Sequence, residues 1–146
     1  MDTSIHILVL ARPGHFRDSL CALLKTLPQT ELFLAAPEKS ADLQRLAGKT
    51  PDLVVVDLDA DGDASARSVS ALREACGGVR CLALVNNSRQ AQQAQQVLNA
   101  DLVLSKSTSA GDFLAAVRQL SRRSGRGVAA RKGGGAAFSY LYALDR

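Results

Sequence analysis

The segment Pro51-Asp52-Leu53-Val54-Val55-Val56-Asp57 constrains this chain more than any other. An unbroken apolar run rich in β-branched residues reads as a strand buried on both faces, the condition of a parallel sheet covered by helices. Asp57 stands where the run gives out, and the acidic loop Asp59-Ala60-Asp61-Gly62-Asp63 follows. In an open α/β sheet the carboxyl ends of the strands line the ligand crevice. A carboxylate delivered there by a rigid strand is a candidate for chemistry.

The rest of the chain supplies matching units. Residues 5–11 (Ile-His-Ile-Leu-Val-Leu-Ala) read as a first strand, broken by Arg12-Pro13-Gly14. Phe16, Leu20, Leu23, Leu24 and Leu27 keep helical spacing before Pro28. Residues 31–36 form a second short strand, and Ser40 caps a helix carrying Leu43 and Leu46 that ends at Gly48. After the central strand, residues 64–76 present Val69, Leu72 and Cys76 on one helical face. Residues 80–85 form a fourth strand, and Ser88 caps a Gln-rich helix over residues 90–98. Residues 101–105 form a fifth strand, with Lys106 at its carboxyl end. Ser109 caps a last helix that buries Phe113, Leu114, Val117 and Leu120. Strict βα alternation forces right-handed crossovers and a parallel sheet with helices on both faces. The expected architecture is a flavodoxin-like (βα)5 three-layer sandwich with strand order 2-1-3-4-5.

Charge divides the chain at the end of this unit. Residues 1–120 carry 12 Lys/Arg against 13 Asp/Glu, whereas residues 121–146 carry six basic residues against Asp145 alone. The net charge of +4 therefore belongs to the tail. Residues 1–120 form the domain, residues 121–135 a basic Gly/Arg-rich linker, and residues 136–146 an aromatic segment. In that segment Phe138, Tyr140, Tyr142 and Leu144 alternate as a strand does. No apolar run approaches the ~20 residues of a membrane span. Cys21, Cys76 and Cys81 lie in apolar segments without metal-ligand spacing, which fits reduced thiols in a cytoplasmic protein.

A carboxylate after the third strand and a lysine after the fifth, in this alternation, resemble the receiver domain of bacterial two-component response regulators. The likeness covers about residues 4–120. His15-Phe16-Arg17-Asp18-Ser19-Leu20 and Pro51 to Asp57 are similar to receivers with a LuxR-type DNA-binding partner. Asn99-Ala100-Asp101-Leu102-Val103-Leu104-Ser105-Lys106 resembles the family's run into its lysine. The resemblance makes Asp57 the phosphoacceptor position, with Lys106, Arg12, Ala11 and Asp59 as its neighbours.

Three departures follow from the same alignment. Ala11 and Arg12 occupy the place of the two carboxylates that hold Mg²⁺ in the family, and Mg²⁺ demands octahedral oxygen ligands. No metal or other cofactor is therefore expected, and Arg12 is expected to pair with Asp57 directly. Leu84, or Val85 with a one-residue gap, replaces the hydroxyl that bonds the phosphoryl group. Val103 replaces the switch aromatic.

These departures imply a pseudo-receiver that is not an enzyme and acts in signalling through protein contacts, independently of phosphorylation. Its partner is a signalling protein or a second copy, met by the face of the fourth helix, fifth strand and fifth helix, where Gln92, Gln93 and Gln96 lie. One alternative is a phosphorelay receiver modified on Asp57 and regulating transcription. Another is nucleic-acid binding through the basic tail, which would weaken steeply with salt. Asp59, Asp61 and Asp63 alternate like a Ca²⁺ loop, but Ser68 stands where the closing Glu belongs, which favours a solvated loop.

Overall fold

The computed structural model describes residues 4–36, 50–58 and 62–121. Five parallel strands form one sheet in the order β2-β1-β3-β4-β5. They are β1 (Ile5–Leu10), β2 (Thr30–Ala35), β3 (Leu53–Asp57), β4 (Arg80–Val85) and β5 (Leu102–Ser105). Among the described residues four helices accompany them: α1 (His15–Leu24), α2 (Gly62–Cys76), α3 (Ser88–Gln93) and α4 (Ala110–Ser121). Helix α3 runs on into a wider π turn at Ala94–Leu98, closed by Asn99 in the left-handed conformation. The helix expected over residues 40–48, the Asp59–Asp61 loop and the tail lie outside the described residues.

The valine run behaves as its composition requires. Leu53, Val54, Val55 and Val56 are fully buried, and so are Ile7, Val9, Leu10 and Leu82 on the flanking strands. Each such side chain contributes roughly 1.5–3 kcal/mol on burial, so the central strands hold most of the core's stabilisation. Two aspartates set where strands begin. The Asp52 carboxylate accepts from the His6 backbone N–H at 2.9 Å, while the Asp52 N–H donates to the His6 carbonyl at 2.7 Å. Asp101 repeats the device one edge over, bonding both the N–H and the carbonyl of Cys81 at 2.8 and 2.9 Å. Each aspartate thereby brackets one residue of the neighbouring strand and fixes register where the ladder starts.

Some boundaries differ from the sequence reading. Helix α1 stops at Leu24 rather than Leu27, because Thr26 and Leu27 donate to carbonyls three residues back and tighten the last turn. Asn87, not Ser88, caps α3: its Oδ1 accepts the Gln90 N–H at 2.9 Å. Ser109 caps α4 as expected, accepting from Asp112 at 3.2 Å. That helix buries Phe113, Ala116 and Val117, with Leu114 and Leu120 half-buried at its margin.

Candidate functional site

Parallel pairing carries the ends of all five strands to one edge. There Asp57, the last residue of β3, lies in register with Leu84 of β4, and Val85 lies in register with Ser105 of β5. The Lys106 N–H donates to the Val85 carbonyl at 2.8 Å, carrying the β4–β5 ladder one residue past Ser105, and the Thr108 N–H then donates to the Ser105 carbonyl at 3.0 Å and turns the chain. The Lys106 Nζ lies 2.5 Å from Asp57 Oδ1. The two side chains are only 18% and 11% exposed, so water screens this pair weakly. Oδ1 is buried and has no directed hydrogen bond among the described residues. Proximity and charge, rather than an aligned donor, hold the contact.

The same ammonium lies 5.1 Å from the centre of the Phe16 ring, within cation–π range. Lys106 thus joins three segments distant in sequence: the first turn of α1, the end of β3 and the turn after β5. Beneath it is a cavity of about 110 Å³ whose lining includes Phe16, Leu20, Leu84 and Phe113. Leu84 therefore supplies an apolar wall beside the ion pair.

The other singled-out positions separate into core and surface. Ala11, Val85 and Val103 are fully buried in the sheet, without polar side-chain atoms to offer. Arg12 is exposed on the loop leaving β1. Asp59 lies outside the described residues, and no cluster of three metal-ligating side chains occurs among the described ones. Ala11 and Arg12 offer no side-chain oxygen, so the end of β1 lacks the carboxylates that an octahedral Mg²⁺ ion favours. Gln92 and Gln96 are exposed and Gln93 is half-buried. No helix among the described residues is long and apolar enough to cross a membrane. Cys21 and Cys81 are free thiols; burial pushes Cys81 up to about 12, so it stays protonated.

Two long-range side-chain contacts, one at the site and one structural, were not evident from sequence. Phe16 reads as an ordinary core position of an amphipathic helix, and only the fold reveals that a cation rests on its ring. Arg73 of α2 donates to the Leu98 carbonyl at 2.8 Å and the Asn99 carbonyl at 3.2 Å, and lies 3.4 Å from Asp101 Oδ2. It satisfies carbonyls at the end of the π turn from 25 and 26 residues away. No local signal announces such a contact.

The sequence matches no protein-family model and no curated protein. Solved structures do match. The signal receiver domain of the putative response regulator NarL from Mycobacterium tuberculosis superposes with a TM-score of 0.65 at 20% identity, covering 81% of this chain and 96% of that one. A LuxR-family two-component response regulator from Aurantimonas sp. gives 0.66 at 20% identity, covering 81% and 85%. A CheY-like protein (tadZ) from Pseudomonas aeruginosa gives 0.66 at 14% identity, covering 80% and 99%. Sheet order, register and these superpositions agree: the chain has the fold of a response-regulator receiver domain.

Proposed function

We propose that this protein is a pseudo-receiver, a signalling module that works by binding protein partners and is not controlled by phosphorylation. The observation that carries this reading is the environment of Asp57. Its carboxylate is engaged by Lys106, and its register neighbour is Leu84, which has no hydroxyl. Phosphoryl transfer to a carboxylate needs charge neutralisation on the transferred oxygens and usually a divalent ion to provide it. With Ala11 and Arg12 at the end of β1, the carboxylates that would hold such an ion are missing. Arg12 adds a second cation near this edge, which suits a fixed electrostatic arrangement better than a switch. The exposed glutamines of α3 and its π turn, Gln92, Gln95 and Gln96, present neutral donors and acceptors, a composition suited to a polar protein interface.

The test is an amide NMR titration with Mg²⁺ and beryllofluoride on the protein and its Asp57→Asn variant. Silence around Asp57, Leu84 and Lys106 is expected. Shifts there that vanish in Asp57→Asn would identify a site that still accepts a phosphoryl group, and would return the chain to the working phosphorelay receivers.

A further inference from the structure

The edge of the sheet at β2 has a polarity that can be read from its ladder. Ile5 N–H donates to the Gln29 carbonyl at 2.8 Å, and Ala11 N–H donates to the Ala35 carbonyl at 3.0 Å. In a parallel pair, alternate residues face the partner. Residues 29, 31, 33 and 35 therefore turn their backbone groups toward β1, while Thr30, Leu32 and Leu34 turn theirs outward. Among the described residues β2 pairs with β1 alone. Leu34 is 45% exposed, one of two large apolar side chains exposed among the described residues. A six-residue edge with outward donors and an exposed leucine is a template for one more strand.

The chain carries a segment of matching length and pattern. In Phe138-Ser139-Tyr140-Leu141-Tyr142-Ala143-Leu144, every second residue is large and apolar or aromatic. Its tether begins in the right place. Helix α4 ends at Ser121, and the Leu120 carbonyl accepts from Arg80 Nη1 at 2.8 Å, so the chain leaves the domain beside the first residue of β4. From β4 to the position beyond β2 is four strand spacings, about 19 Å. The 16 residues from 122 to 137 form a Gly/Arg-rich tether whose root-mean-square span is about 20–24 Å. The span is comfortably covered without being so long that the local concentration is diluted away.

We propose that residues 138–144 add in cis to β2 as a sixth strand, with the Phe138/Tyr140/Tyr142/Leu144 face or its reverse covering Leu34. The segment closes the sheet edge and buries its own aromatics in one step.

Hydrogen exchange followed by amide NMR on the full chain tests this. The Leu32 and Leu34 amides should exchange at least tenfold more slowly than solvent-exposed amides. The double variant Tyr140→Pro/Leu141→Pro should release them, while Phe33 and Ala35, bonded to β1, stay protected. One of two adjacent prolines must fall where a tail N–H faces β2, whichever way the strand runs. Fast exchange at Leu32 and Leu34 in the unaltered chain would overturn the proposal, as would protection that survives the double proline. Protection that depends on protein concentration and accompanies a dimeric mass in light scattering would also overturn it, assigning the edge to a second copy.

Discussion

Replacing Lys106 with methionine removes the charge at the carboxyl edge while keeping most of the apolar stem. Breaking a fully buried ion pair by deleting one partner costs about 3–5 kcal/mol, because the remaining charge is left desolvated. Here the Asp57 and Lys106 side chains keep 11% and 18% of their exposure, so some water reaches the orphaned carboxylate. The expected loss from this source is about 2–3 kcal/mol, scaled down from the buried limit. Loss of the cation from the Phe16 ring adds roughly 0.5–1 kcal/mol. Asp57→Asn is the milder change at about 1–2 kcal/mol, since a lysine can extend toward solvent while a strand-borne carboxylate cannot. In the double variant no charge is stranded, so its loss should fall about 1.5–2 kcal/mol short of the summed single losses. Urea unfolding of the four proteins at pH 7, with equal m-values, measures every leg of the cycle. A Lys106→Met loss under about 0.5 kcal/mol, or strict additivity, would refute the reasoning and make the contact a surface pair of little consequence.

Arg73→Ala should destabilise by about 1–2 kcal/mol and speed amide exchange through the Ala94–Leu98 turn, because one part-buried and one exposed carbonyl lose a charged donor. Urea unfolding and exchange rates check both effects. Asn87→Ala should cost about 1 kcal/mol and Ser88→Ala almost nothing, read as a difference in urea midpoints. Cys81 is raised from 9.0 to about 12 in the folded protein by burial, so above pH 9 the unfolded chain gives up its proton and the folded one does not. Stability must therefore fall as pH rises from 9 toward 12, by up to about 1.4 kcal/mol per pH unit from this thiol. Cys81→Ala should flatten that part of the curve, and identical slopes in the two proteins would contradict the assignment.

Sequence made the strands legible because each is an apolar run bounded by punctuation; alternation implied a parallel sheet, and the order 2-1-3-4-5 was one of the two common doubly wound arrangements it allows. Asp57 and Lys106 were visible because both stand at strand ends, which parallel pairing brings to one edge. The α3 cap was misplaced by one residue, since adjacent Asn87 and Ser88 are both good caps and only the bond to Gln90 decides between them. The π turn was hidden by its ordinary helical composition. Arg73 bonds its last carbonyls, and side chains that act across 25 residues leave no periodic trace. Leu84 could be aligned against Val85 only by counting, whereas the ladder places Leu84 beside Asp57 through hydrogen-bonded pairing.

The junction at Lys106 also bears on when the molecule becomes complete. Residues 16, 57 and 106 meet at one ammonium, although the chain must close loops of about 40 and 50 residues to bring them together. Contacts of such sequence separation follow the pairing of the strands that carry them, because loop entropy is lost before they contribute. The ion pair is then largely absent from the folding transition state, and its strength is expressed in the rate of unfolding. A chevron for Lys106→Met should move on its unfolding limb and hold still on the other. Lys106 works as the latch closed last, setting how long the folded domain lasts rather than how quickly it forms.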